Sequence, residues 1–213
     1  MDVMEALVNA GAVDDGSHGN HYVYKSKKHG PAYINMDMLF PNVEVMDQVC
    51  AGLIEPFLRG FDTVVGAATG GIPLAVLSGY LSGARYALWA DKDGDDFAFS
   101  RAGFGDVLAG RQVLIVEDLL TTGGTVMKVA SQIRQHDGEV VGISCVCNRA
   151  GMTSMQLGVP LLRSLVNVNF EAHLPEHCQQ CVEGVPIVTD VGHGDTFARS
   201  NPDYPGKFRT LLS

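Results

Sequence analysis

Residues 113–125, Val-Leu-Ile-Val-Glu-Asp-Leu-Leu-Thr-Thr-Gly-Gly-Thr, constrain the fold more than any other stretch of the chain. Val113 to Val116 form a short continuous apolar run, the pattern of a buried parallel strand. Glu117 and Asp118 follow at its end. Thr121, Thr122, Gly123, Gly124 and Thr125 then make a hydroxyl- and glycine-rich turn, and Val126, Val129, Ala130 and Ile133 continue with helical spacing to about His136. Strand, acidic pair, turn and helix together describe a phosphate-binding loop. Glycines let backbone approach an anion closely. Hydroxyls and free N–H groups at a helix start hydrogen-bond a phosphate, and the helix dipole favours its charge. Two carboxylates beside a phosphate repel it unless they serve another group. A sugar diol is the natural candidate, since a carboxylate accepts both of its hydrogen bonds.

The rest of the chain supplies a frame for this loop. Helical spacing is expected over 1–10 and over 43–59, the latter closed by Gly60. Strands are expected at 62–66, 85–90, 97–99, 139–147 and 161–168, and shorter ones at 21–25 and 33–35. Residues 67–71, Ala-Ala-Thr-Gly-Gly, form a second small-residue turn before a helix over 72–81, with Pro73 in its first turn, where proline is tolerated. Strands alternating with helices between 61 and 150 imply βαβ units. The expected fold class is α/β: a central, mostly parallel sheet with helices on both faces. Ligands in such sheets bind beyond the carboxyl ends of the strands, where the turns at 67–71 and 117–125 and the residues after Cys147 lie. We expect one domain over 1–213, with a core of about 41–160. The turn-rich flanks, about 18–40 and 161–213, are expected to form a small hood over the site.

A net charge of −9 argues against nucleic acid as the partner and requires locally placed cations for any polyanionic substrate. The chain has no apolar run of about 18 residues, which excludes a membrane-spanning helix. Its first residues lack a signal-peptide pattern, which points to the cytoplasm. The five cysteines are odd in number and are expected as reduced thiols. Cys178 and Cys181, with His173 and His177 nearby, form half of a zinc-site pattern, and a closed structural site needs four ligands. No metal-binding residue is therefore assigned. Cys145 and Cys147 share one side of a strand pattern and are expected to pack.

The stretch 113–125 resembles the phosphoribosyl pyrophosphate signature of the type I phosphoribosyltransferases. Further segments, in the same order, are similar to the orotate phosphoribosyltransferases: Ser26 to Asn35, Val65 to Pro73, Cys147 to Gly151, and the Pro-Glu-His-Cys-Gln-Gln-Cys tail from Pro175. The resemblance covers nearly the whole chain. It implies the type I phosphoribosyltransferase fold, transfer of a phosphoribosyl group to orotate in pyrimidine biosynthesis, Mg²⁺ carried mainly by the substrate pyrophosphate, and a homodimer. It also implies roles. Glu117 and Asp118 hold the ribose hydroxyls, and Thr121, Thr122, Gly123, Gly124 and Thr125 cradle the 5′-phosphate. Lys28, His29 and Tyr33 contact base or pyrophosphate. Arg149 meets the orotate carboxylate, with a structural ion pair as the alternative. Lys92, with Asp118, is assigned to the catalytic step through the pyrophosphate charge. Lys27 stands where the family has glycine, and Gly70 where other members have lysine, so the basic complement is thin unless Arg101 adds to it. Residues 91–105 are either a lid or an ordered hairpin. Another base such as a purine, and a non-catalytic sensor of phosphoribosyl pyrophosphate, are the alternative functions.

Overall fold

A computed structural model of the chain describes residues 3–57 and 60–211. The chain divides into two compact units. One comprises residues up to Ala10 and Met36–Asn169, the other Gly11–Asn35 and the segment from Phe170. These borders differ from those expected for a core over 41–160 and a hood over 18–40 and 161–213.

The first unit is built on a six-stranded sheet: β1 (Thr63–Ala67), β2 (Tyr86–Asp93), β3 (Asp96–Ala98), β4 (Gln112–Leu120), β5 (Glu139–Asn148) and β6 (Leu162–Asn167), in the spatial order β6-β5-β4-β1-β2-β3. All neighbours pair in parallel except the β2–β3 hairpin. The helices are α1 (Val3–Asn9), α2 (Val43–Ile54), α3 (Gly71–Ser82), α4 (Gly124–Gln135) and α5 (Ser154–Leu157). Val65, Val113 and Ile115 share one core cluster with Val126, Val129, Ala130 and Ile133 of α4. The alternate residues Val64, Leu114 and Val116 are equally buried. A sheet covered on both faces needs apolar residues at every strand position, which is why 113–116 reads as an unbroken run.

Several boundaries differ from the sequence reading, each for a local reason. The helix expected over 43–59 ends at Ile54 and tightens into a 3₁₀ turn, Glu55–Phe57. Pro56 has no N–H for the α ladder and its ring crowds the preceding turn; residues 58 and 59 lie outside the described set. The segment 91–105 begins as an ordered hairpin: β2 extends to Asp93, and Gly94 at φ 59° turns the chain into β3. The acidic pair does not follow the end of its strand. It lies inside β4, which runs to Leu120 by pairing with β5.

The second unit is made of short pieces. Val13–Asp14 pairs with Tyr33–Ile34, Tyr22–Val23 with His29–Gly30, and Ile187–Val188 with Phe208–Arg209. Single bridges join His21 to Ile187 and His29 to His173, so the hairpin 22–30 is tied on both sides to the C-terminal segment. Its turn holds Lys27 at φ 62°. An L-residue pays about 1–2 kcal/mol in this left-handed region, and the exposed side chain has no burial to offset it. Replacing Lys27 with Gly is therefore expected to stabilise the protein by about 0.5–1 kcal/mol, less than the full strain because glycine loses more entropy on folding. Urea unfolding curves of the two proteins check this; an unchanged or lowered midpoint contradicts it.

Candidate active site

The sheet order creates a crevice at one place. From β1 the chain crosses through α3 to β2 on one side, and from β4 it crosses through α4 to β5 on the other. The reversal falls between β1 and β4, the topological switch point at which open α/β sheets bind ligands. Register opens it further. β1 pairs with β4 only as far as Gly66 opposite Val116. From Glu117 onward β4 keeps β5 on one edge and offers the other edge to the turn that follows β1.

That turn touches the acidic pair directly. Asp118 Oδ2 lies so close to Gly70 that a Cβ at position 70 would overlap it. Any side chain at position 70 would therefore require the Asp118 carboxylate to move from its present place. Asp118 Oδ1 accepts a hydrogen bond from the Leu119 N–H at 2.6 Å. Glu117 is 8% exposed, and its Oε2 has no hydrogen-bond partner. Burial, then hydrogen bonding to and repulsion by Asp118, hold the Glu117 carboxyl well above the usual carboxylate range. Burial thus favours the neutral form of Glu117. Shifted that way, the pair offers acceptors and an O–H donor to a diol, and it repels a nearby phosphate less than two fully ionised carboxylates would.

After β4 the turn enters α4 through Gly123 in the left-handed conformation, φ 77°, with no side-chain cap on the helix. A Cβ at 123 would also strike Leu157. The first-turn N–H groups of α4 are thus left for an anion, at the positive end of a twelve-residue helix. Thr121 is half-buried, while Thr122 and Thr125 are exposed beside these groups. Thr122, Gly124 and Thr125 line a cleft of about 310 Å³ together with Lys92 of β2 and Lys128 of α4. Lys128 Nζ donates to the Asp95 carbonyl of the hairpin. Lys128 was missed by the sequence reading, although its position one turn past Gly124 was the available signal. Arg101 is committed elsewhere: it pairs with Asp91 at 3.2 Å and covers the Trp89 ring at 5.0 Å.

At the end of β5, Arg149 is exposed and makes no ion pair among the described residues. The structural ion pair considered for it is absent among them. Asn148, Ala150, Gly151 and Asn167 line a cleft of about 210 Å³ around its backbone. In the second unit, Lys28 is exposed in the hairpin turn, and Tyr33 is half-buried with its ring stacked on Tyr22 at 5.1 Å. His29, expected to face a ligand in that basic turn, is fully buried instead. Its ring packs edge-on against His21 and Phe197, and its Nδ1 lies 3.2 Å from Cys181 Sγ. Being in the strand after the turn rather than in it, His29 points inward while Lys28 points out.

A phosphoribosyl transferase domain family matches residues 105–178. The orotate phosphoribosyltransferase of Caldicellulosiruptor saccharolyticus is 30% identical over 185 residues, covering 86% of this chain and 94% of that one. The orotate phosphoribosyltransferase of Thermotoga maritima is 33% identical over 187 residues with the same coverages. Among solved structures, orotate phosphoribosyltransferase from Aeropyrum pernix superposes with a TM-score of 0.59 at 22% identity, over 78% of this chain and 93% of that one. Adenine phosphoribosyltransferase from Rhodothermus marinus gives 0.58 at 18%, over 78% of this chain and 98% of that one, so the fold is shared by proteins named for different bases. The chain belongs to the phosphoribosyltransferase family, a class of glycosyltransferases. Within that family, the relatives at 30–34% identity are orotate phosphoribosyltransferases.

Two outcomes follow from this geometry. Gly70→Ala places a Cβ where the Asp118 carboxylate lies, so that carboxylate must rotate away, and affinity for phosphoribosyl pyrophosphate should fall about tenfold by calorimetric titration; unchanged affinity refutes a role for this placement. Glu117→Gln tests the buried proton. A carboxyl whose folded pKa is raised contributes stability that is complete below its unfolded pKa and is lost as pH rises through the folded value. The Gln variant lacks that loss. Its denaturation midpoint should therefore exceed that of the parent increasingly as pH rises, with no such gain near pH 4.

Proposed function

We propose that the protein transfers the phosphoribosyl group of phosphoribosyl pyrophosphate to orotate, giving orotidine 5′-monophosphate and pyrophosphate. The observation that carries the choice of base is Arg149. It is an unpaired guanidinium at the carboxyl edge of the sheet, where a planar fork suits a carboxylate-bearing ring. The names of the relatives at 30–34% identity support the same choice.

In this reading the O–C1 bond to pyrophosphate breaks with its electron pair on the leaving group, a ring nitrogen of orotate bonds to C1, and the proton of that nitrogen passes to the departing pyrophosphate or to solvent. The ribose passes through an oxocarbenium-like state. Such a step needs no enzyme nucleophile, only positioning and charge stabilisation. Glu117 and Asp118 hold the 2′- and 3′-hydroxyls and so fix the ring. The α4 N-terminus, with Thr121, Thr122, Gly123, Gly124 and Thr125, holds the 5′-phosphate. Lys92 and Lys128 line the same cleft as Thr122, Gly124 and Thr125 and offset the negative charge that the acidic chain otherwise imposes on its substrate. His29 is buried and takes no part.

A magnesium ion carried on the pyrophosphate fits the donors here, since Glu117 and Asp118 of β4 supply the oxygen ligands such a hard cation takes. When bound, it would neutralise the pyrophosphate as charge develops there. The homodimer implied by the family resemblance belongs to this same proposal.

Steady-state kinetics test it. Orotate should be turned over and adenine, guanine and hypoxanthine should not. Asp118→Asn should lower kcat/KM for phosphoribosyl pyrophosphate about a hundredfold or more. Arg149→Ala should raise the KM for orotate about tenfold to a hundredfold, with a smaller effect on kcat, as loss of a charged hydrogen-bond pair does. No turnover of orotate would sink the proposal, and tight ligand uptake without turnover would establish a sensor.

A further inference from the structure

Within the second unit four side chains that chemistry recognises as metal ligands converge: His21, His29, Cys178 and Cys181. None belongs to the phosphoribosyl site. They come from two stretches about 150 residues apart. His21 and His29 bracket the 22–30 hairpin, and Cys178 and Cys181 form the Cys-x-x-Cys knuckle at the start of the short helix Gln179–Val182. Each offers one ligand atom, and these atoms all lie within 4.8 Å of one another.

The separations have the dimensions of a coordination polyhedron. His21 Nε2 is 3.2 Å from His29 Nδ1, 3.5 Å from Cys178 Sγ and 3.8 Å from Cys181 Sγ, and His29 Nδ1 is 3.2 Å from Cys181 Sγ. A tetrahedron with metal–nitrogen bonds of about 2.0–2.1 Å and metal–sulfur bonds of about 2.3 Å has edges of about 3.3–3.8 Å. The cysteines are free thiols, not a disulfide. His21, His29 and Cys178 are fully or almost fully buried.

The surroundings orient the ligands. His21 Nδ1 donates to the Val185 carbonyl at 3.0 Å, which leaves the Nε2 lone pair aimed into the cluster. Tyr204 Oη donates to the same carbonyl at 3.2 Å and closes that side. Backbone bonds fix the rest: His29 N–H to the His173 carbonyl at 2.7 Å, the Val188 N–H to the His21 carbonyl at 2.9 Å, and Cys181 N–H to the Cys178 carbonyl at 3.0 Å. Without a cation, two imidazoles and two thiols buried together have mostly one another as partners, and each such contact is a weak hydrogen bond at best.

We propose that His21, His29, Cys178 and Cys181 bind one structural zinc ion, which joins the two chain segments of this unit. Four protein ligands close the coordination sphere, so the ion holds the unit together and has no open position for substrate. His173 and His177, the histidines nearest the knuckle in sequence, are exposed and take no part; His173 faces Glu171 at 3.4 Å.

The test uses the full chain, freed of any histidine tag and purified without chelator from zinc-supplemented cells. Elemental analysis should find about one zinc per chain. Cobalt exchanged into the wild-type protein should give the intense visible bands of tetrahedral cobalt and a thiolate-to-cobalt charge-transfer band. Cys178→Ser and His21→Ala should each lose the metal, whereas the double variant His173→Ala/His177→Ala should keep it. Stripping the wild-type protein with a strong chelator should lower its Tm. The wild-type zinc content and cobalt spectrum decide the matter even if the ligand variants do not fold. Wild-type protein with well under one zinc and no tetrahedral cobalt spectrum overturns the proposal. So does a Cys178–Cys181 disulfide in freshly purified protein, or loss of metal in the His173/His177 variant.

Discussion

The contact between the Asp118 carboxylate and the backbone of Gly70 is the constraint on which the site depends. It joins the two halves of the sheet at the point where their connections diverge. A side chain at position 70 would meet the Asp118 carboxylate and turn it out of its present place. The glycine is therefore bound up with the position of the acidic pair. It brings no cation of its own, and the cations near the turn come from other elements: Lys92 of β2 and Lys128 of α4 line one cleft with Thr122, Gly124 and Thr125.

Glu117 shows why the central strand had to continue past its apolar run. Pairing with β5 through Leu120 holds Glu117 in the sheet, where burial favours its neutral form. The shift is toward a hydrogen-bond donor and away from a second charge. This costs stability at high pH, as buried acids do, and the core formed by β4 and α4 around Ile115, Val126 and Ile133 is what sustains it.

Legibility in the sequence followed sequence separation. The α/β architecture and the loop at 117–125 were readable because their signals are local: an apolar run, an acidic pair, glycines, then helical periodicity. The extent of β4 was not, because Glu117 and Asp118 are unlikely strand residues until β5 supplies partners. Nothing in the sequence places Lys128 of α4 and Lys92 of β2 together, and only the folded hairpin at Gly94 brings both to one cleft. His29 was misplaced because a basic turn and the strand after it look alike in a sequence. The same separation hid the cluster around Cys178. The knuckle was visible, but the nearest histidines in the chain, His173 and His177, are not the ones that meet it.

The second unit explains why such a cluster would matter. Its strands are two residues long, and its helices, Gln179–Val182 and Gly194–Ser200, span one or two turns. Helices of that length are not stable by themselves, and two-residue ladders contribute few cooperative hydrogen bonds. Its two segments are far apart in the chain, so closing the long connection costs entropy before any contact compensates. The buried apolar residues available, chiefly Val13, Tyr22, Val23, Ile187 and Val188, are few. In small folds of this kind, a four-ligand ion or its equivalent supplies the cross-link that a core of this size does not. His21 and His29 on one segment and Cys178 and Cys181 on the other stand where a cross-link would act, at the two bridges that already tie the hairpin to the C-terminal segment.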